Sequence, residues 1–200
     1  MNRSGYLAVT LMLILAGCAG QSTREATSVN WKQHSSTLQG FHHWTANGKL
    51  ALRTDERAES ATIVWQQQGQ NSELQLSGPL GLGATTIHSD GQQLQINKGN
   101  EVTTVDISTP NATARNTGWN LPLQALPYWL KGMPSPDFEL QLFELDPDND
   151  LLRNLRQDNW DINYEQYQQF DELMLPTRLR IHNGSTSARM IIRHWQTAAE

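Results

Sequence analysis

Arg178-Leu-Arg-Ile181-His-Asn183-Gly184-Ser-Thr-Ser187-Ala-Arg-Met190-Ile-Ile192-Arg193 reads as two strands folded on one turn. Leu179 and Ile181, with Leu175 before them, fall on one face against Arg178, Arg180 and His182. Past the turn, Ala188, Met190 and Ile192 oppose Ser187, Arg189 and Arg193. Alternation with period two marks a half-buried strand, because successive side chains point to opposite faces of a sheet. His182-Asn183-Gly184-Ser185 supplies residues that accept the positive φ of a tight hairpin turn.

The same pattern recurs upstream. Ala61, Ile63 and Trp65 share a face, as do Leu74 and Leu76. Leu94 and Ile96 are flanked by Gln93, Gln95 and Asn97. Trp160, Ile162 and Tyr164 alternate with Asp161, Asn163 and Glu165. Turn signals separate the runs at Gln68-Gly69-Gln70-Asn71, Ser89-Asp90-Gly91 and Lys98-Gly99-Asn100. Short strands spaced by roughly 8–12 residues predict an antiparallel barrel or sandwich. One face of each run is too polar for a membrane-spanning barrel, so the expected body is soluble. Two segments break the pattern. A short amphipathic helix is expected from Val29 to Leu38, ended by Gly40. Gly118–Pro134 places Leu123, Leu126 and Leu130 on one helical face, with Asn120 able to cap the start and Gly132 the end. Pro127 inside that span predicts a kink or two short turns.

The N-terminus is an address. Arg3 is followed by an apolar run from Tyr6 to Leu15 and then Leu15-Ala16-Gly17-Cys18. The run is shorter than the roughly 20 residues a permanent span needs, and has the length of a signal-peptide core. Leu-Ala-Gly-Cys matches the lipobox of bacterial lipoproteins, in which the cysteine is acylated and becomes the new N-terminus. Residues 1–17 are therefore read as signal peptide, and 18–30 as acylated Cys18 followed by a small, polar, flexible tether. Residues 31–200 are read as one domain, a length ample to bury a core. Ala19 after the cysteine, by resemblance to enterobacterial lipoproteins, implies export to the outer membrane. Several acyl chains, each contributing roughly 0.8 kcal/mol per buried methylene, make such an anchor effectively permanent.

Composition closes off other classes. The chain has 200 residues with 15 Lys+Arg against 20 Asp+Glu, a formal charge of −5, which argues against a nucleic-acid partner. The single cysteine excludes an intramolecular disulfide and a multi-cysteine metal site. The adjacent pair His42-His43 would point to opposite faces of a strand, a poor chelate. Asp146-Pro-Asp148-Asn-Asp150 starts like a calcium loop but has Leu151 and Gln157 where that loop needs Gly and Glu. No nucleophile elbow, phosphate loop or zinc-protease motif is present. The reading is of a protein without catalytic residues, metal or cofactor.

Two features stand out instead. Ser77-Gly78-Pro79-Leu80-Gly81-Leu82-Gly83 is a Gly/Pro loop carrying two leucines and no charge, suited to dip into a bilayer or touch an acyl chain, or to fold back and plug the sheet. Seven Trp in 200 residues suit a pocket for greasy chains as well as ordinary packing.

These segments, taken in order, resemble the LolB family of outer-membrane lipoprotein receptors of Gram-negative bacteria. The lipobox at Cys18, Trp44-Thr-Ala-Asn-Gly48-Lys-Leu-Ala-Leu52 and Ser77–Gly81 carry the resemblance. So do Gly118-Trp119-Asn-Leu-Pro122-Leu123, Tyr128-Trp-Leu-Lys131-Gly132-Met-Pro134, Gln157-Asp-Asn-Trp160 and Leu175-Pro176. The resemblance implies a mainly β fold, an incomplete, unclosed antiparallel barrel whose hydrophobic cavity is covered by a few short helices. It implies a monomer that takes lipoproteins from a LolA-like periplasmic carrier, holds their acyl chains and passes them to outer-membrane lipid. Leu80 matches the family's exposed loop leucine, and Leu82 adds a second apolar residue at the tip. From strand alternation the acyl-chain cavity is expected to be lined by Trp65, Leu140, Leu142, Trp160, Ile162, Tyr164, Met190 and Ile192. A lipocalin-like lipid-binding lipoprotein predicts a pocket without need of the apolar loop or a carrier. A scaffold lipoprotein predicts an exposed patch without a cavity, and an anchored hydrolase lacks a candidate triad.

Overall fold

Alternation, once paired, gives a single sheet. The computed structural model describes residues 29–78, 83–107 and 121–197. Its strands are β1 (His43–Arg53), β2 (Ala58–Gln68), β3 (Asn71–Ser77), β4 (Thr85–Ser89), β5 (Gln93–Lys98), β6 (Glu101–Asp106), β7 (Leu140–Leu145), β8 (Leu152–Gln157), β9 (Trp160–Phe170), β10 (Leu173–Asn183) and β11 (Thr186–Thr197). They form one 11-stranded antiparallel sheet in the order β6-β5-β4-β3-β2-β1-β11-β10-β9-β8-β7. The first and last strands meet in the middle, so two meanders run outward from one seam. The outer strands β6 and β7 do not pair with each other, and the barrel is unclosed.

Register places one continuous apolar row across the interior. Trp195 lies opposite Ala46, Ala46 opposite Trp65, Trp65 opposite Leu74, Leu74 opposite Ile87 and Ile87 opposite Ile96. A one-residue slip anywhere would turn this row to solvent, which is what specifies the pairing. The seam itself depends on a glycine. A bulge between Asn47 and Gly48 lets β1 follow β11, and a Cβ on Gly48 would overlap the Ile191 carbonyl oxygen.

The hairpin of β10 and β11 forms as expected, Asn183 pairing with Thr186 around Gly184-Ser185, with Gly184 at φ +30°. On the outer face beside it, Glu165 of β9 receives a fan of arginines from β10 and β11. Arg180 Nε is in close contact with one carboxylate oxygen, and Arg189 and Arg178 approach the other at 3.4 and 3.8 Å.

Helix α1 (Trp31–Gly40) starts one turn-fraction later than Val29, because the Asn30 side chain accepts from Gln33 N at 3.1 Å and caps it there. It buries His34 and Leu38 on the sheet. The helical insert is shorter than its leucine spacing suggested. Helix α2 spans only Leu126–Leu130, without a side-chain cap at Ala125, and Asn120 lies outside the described residues. Pro127 sits in its first turn, where an N–H has no intrahelical partner, so no kink arises. Gly132 ends α2 at φ +80°. Its N–H reaches Trp129 O at 3.0 Å while Met133 N reaches Tyr128 O at 3.1 Å, the paired bonds of a Schellman turn. None of the helices among the described residues is long and apolar enough to cross a membrane.

Candidate functional site

The two halves of the sheet bury their inner faces differently. Under α2, the C-terminal half packs closely, and its own hollow, of about 860 Å³, lies away from α2 along the polar residues Glu165, Gln166, Gln168 and Gln169. Leu151, Leu152, Leu155, Ile162, Leu175, Leu179 and Ile181 are all less than 2% exposed, as are Trp129 and Leu130 of α2. Trp129 leans on Trp160 at 6.1 Å and Phe138 at 5.8 Å between ring centres. A buried glutamine pins this lid. Gln157 Oε1 accepts from Trp129 Nε1 and Ser135 N, both at 2.8 Å, and its Nε2 donates to Ser135 O at 2.8 Å and Phe138 O at 2.9 Å. Tyr164 OH adds a bond to Trp129 O at 2.9 Å, and burial holds both the Tyr164 and Tyr167 phenols far above their usual range.

The N-terminal half is hollow. Its inner face carries a narrow cavity of about 240 Å³, lined by Trp44, Trp65, Leu74, Ile87, Leu94 and Tyr128 among others. A wider one of about 630 Å³ is bounded by Leu50, Leu52, Ala61, Leu76, Ile87 and Ile96. Ile87 belongs to both, so the two are neighbours along one apolar face. Gly78 and Gly83, the stems of the loop between β3 and β4, stand at the wall of the wide cavity. The segment 79–82 between them, with Leu80 and Leu82, lies outside the described residues, as does Cys18.

The narrow cavity is the one whose polar groups are buried. Gln67 is 5% exposed and its Oε1 accepts from Trp65 Nε1 at 3.1 Å and Ser72 Oγ at 2.6 Å. Lys131, just past α2, is 5% exposed and donates through Nζ to Leu38 O at 3.0 Å and Phe41 O at 2.9 Å, closing the C-terminal end of α1. Desolvation lowers its pKa to about 8. Trp44 is 2% exposed, packs on Trp65 and Trp195 at 6.0 and 5.2 Å, and leaves its Nε1 without an acceptor. Among the described residues no group of His, Cys, Asp and Glu is arranged to hold a metal ion.

The expected cavity residues divide accordingly. Trp65 lines the narrow cavity. Trp160, Ile162, Tyr164, Met190 and Ile192 are buried on the interior face, but none of the five lines either of these two hollows; Tyr164 instead borders the hollow of the C-terminal half. Leu140 and Leu142 are a correction. Leu140 is 52% exposed, and Leu142 pairs with the exposed Arg156 while Phe143 pairs with buried Leu155. Register shifts between Leu140 and Leu142 and between Glu144 and Leu145 break the alternation that placed them inside. Lys131 and Gln157 were missed. Lys131 left a signal, being the single charge in the span from Gly118 to Pro134.

A family model described as outer membrane lipoprotein LolB matches residues 42–195. An outer-membrane lipoprotein LolB of Pseudomonas fluorescens is 30% identical over 195 residues, covering 95% of this chain and 94% of that one. One of Pseudomonas putida is 33% identical over 196 residues, covering 94% and 93%. Among solved structures, a LolA-superfamily protein of Nitrosomonas europaea superposes with a TM-score of 0.53 at 11% identity, over 86% of this chain and 96% of that one, a likeness of fold.

Proposed function

The chain belongs to the LolB family, and from that premise we propose that it receives acylated lipoproteins from a LolA-like periplasmic carrier and delivers them to the outer membrane. Cys18 tethers it to the periplasmic face of that membrane. Acyl chains lie in the hollow half of the sheet, and the loop bearing Leu80 and Leu82 delivers them. The observation that carries this reading is the pair of adjoining apolar hollows, with the stems of the leucine loop at the wall of the wider one.

The physics is partition down a gradient. Acyl chains move from carrier to receptor if the hollow binds them better, and on to the bilayer if lipid binds them better still; each 1.4 kcal/mol is tenfold in partition. Tethering at the destination raises the effective concentration of the last acceptor. An unclosed barrel suits the task, because the two sheet edges β6 and β7 can separate without breaking a ladder. The packed half meanwhile keeps the fold.

Carrier loaded with a labelled lipoprotein, mixed with the anchored chain and analysed by pull-down, is expected to give up its cargo in one direction. Retention of cargo on the carrier, with free fatty acid still bound by the chain, would favour a lipocalin-like role. Leu80→Glu is expected to accept cargo normally and fail to insert it into vesicles; unchanged insertion would remove the loop from the mechanism.

A further inference from the structure

The two hollows differ in what they offer an occupant. The wide one presents Leu50, Leu52, Ala61, Leu76 and Ile96, with its charged groups Arg57, Glu59, Lys98 and Glu101 exposed to solvent, whereas the narrow one is walled by two buried donors, Lys131 and Trp44. An ammonium has three protons to give. Lys131 commits two to the carbonyls of Leu38 and Phe41, and among the described residues it enters no ion pair. Trp44 Nε1 has one proton and no acceptor. The other buried polar side chain of that wall, Gln67, has both its oxygen and its nitrogen engaged, the latter with Gly69 O at 2.9 Å. The Lys131 ammonium also lies 5.7 Å from the centre of the Tyr128 ring, and the exposed Asp137 shares the cavity wall without forming an ion pair with it. The buried part of the narrow cavity therefore holds an indole donor without an acceptor and, among the described residues, a positive charge without a carboxylate partner, beside apolar Trp65, Leu74, Ile87 and Leu94.

A buried donor without a partner costs free energy that an occupant bearing an acceptor recovers. The complementary molecule is apolar along most of its length and carries an oxygen acceptor without a proton at one end. That is an acyl group. From this complementarity we propose that Lys131 and Trp44 form a carbonyl-recognition site, which takes the ester or amide oxygen of a lipid-modified protein or the carboxylate of a free fatty acid, and sets the direction in which the chain lies. Its carbonyl end sits under α2 and its methyl end runs past Ile87 toward the wide hollow and the stems Gly78 and Gly83. This rests on the acyl-chain reading above and adds polarity to it. A hydrocarbon slot would accept a chain either way round, whereas this one is polarised.

The test uses the anchored chain in phosphatidylcholine nanodiscs with three probes: hexadecane, sodium palmitate labelled with ¹³C at its carboxyl, and a diacylated lipopeptide labelled at its ester carbonyls. Trp44→Phe removes only the indole donor. Lys131→Met removes the cation and also the cap on α1, so it is read alongside Trp44→Phe. Palmitate affinity is expected to fall about tenfold with Lys131→Met and about threefold with Trp44→Phe, with hexadecane unaffected by either. The Trp44 indole proton resonance should move downfield on carbonyl binding. A shift with the lipopeptide identifies lipoprotein as the source of the carbonyl, and a shift with palmitate alone identifies free acid. Palmitate and lipopeptide bound as tightly by both variants, with the indole resonance unmoved, would overturn the site and leave the acyl cavity intact. Failure to bind any of the three, hexadecane included, would overturn the cavity reading itself.

Discussion

The halves on either side of the β1–β11 seam are built from the same alternation and end in opposite states. Ile63 and Ile162 occupy equivalent inward positions, each 1% exposed. Around Ile162, Leu155 and Ile181 face it from both neighbouring strands and α2 closes the top. The row beyond Ile63 runs through Leu76 to Thr85 and Lys98, where side chains shorten or become polar and the space stays open. What decides between core and cavity is whether a third layer is supplied. Helix α2 sets Trp129 on Trp160 in one half, while its Pro127 and Tyr128 only border the narrow hollow of the other and leave the wide one uncovered. A void lined by apolar groups forfeits contacts on one side of each of them, a standing cost unless something else occupies it. The packed half supplies the stability that lets the hollow half remain unfilled.

Removing the peg from the packed half should give the largest effect. Gln157→Leu strands the Trp129 indole N–H, the Ser135 amide and the carbonyls of Ser135 and Phe138. Each buried orphan costs about 1–3 kcal/mol, with some relief from rearrangement, so a loss of about 4 kcal/mol is expected by urea denaturation. A loss below 1 kcal/mol would mean the lid is held by packing alone.

The next comparison sets one leucine from each half side by side. Leu179→Ala, in a residue 0% exposed and opposite Met190 and Tyr164, should cost about 3–4 kcal/mol. Leu76→Ala, at 6% exposed and already facing space, should cost about 2 kcal/mol, because it deepens an existing void without opening a new one. Equal costs would erase the distinction between core and hollow.

Filling the hollow should do the reverse. Ala61→Trp puts a large side chain into the wide cavity, where no core has to move, so thermal stability should hold while acceptance of a labelled lipoprotein from the carrier falls at least about tenfold. A destabilised variant that still accepts cargo would place the acyl chains elsewhere.

The fold was legible because its information is local. Alternation names the buried face, and Gly184 and its turn residues name the reversal, so the order within each meander follows from local pairing, whereas the β1–β11 seam that joins the two is a distant contact no local signal names. The void was not legible. Trp65 and Trp160 both stand on apolar faces, and only the placement of α2 across the chain assigns one to a cavity wall and the other to core. Leu140 and Leu142 misled for a different reason. A bulge consumes a residue without altering composition, so period two predicted from spacing fails within a strand only six residues long. Lys131 was the opposite case, a charge out of place in an apolar helix end, visible in the sequence but without meaning until two carbonyls of α1 appeared beside it.

Lys131 also provides the finest test, because it bridges the halves: it leaves α2, caps α1 and lines the narrow hollow. Burial lowers its pKa to about 8 in the folded chain, against an ordinary value of 10.5 once unfolded. Below pH 8 both states carry the charge and the folded one bears the desolvation. Above it the folded state releases its proton first, so stability rises with pH until the unfolded value is reached. From pH 7.5 to 9 the gain should be about 1 kcal/mol. Lys131→Met should abolish that rise, with His42, Asp137 and Tyr128 on the same cavity present in both proteins. If the rise persists in the variant, another group produces it, and Lys131 is better solvated than its position under α2 indicates. If it vanishes when acyl lipopeptide is bound, the occupant is supplying the cation with a further acceptor beside the carbonyls of Leu38 and Phe41.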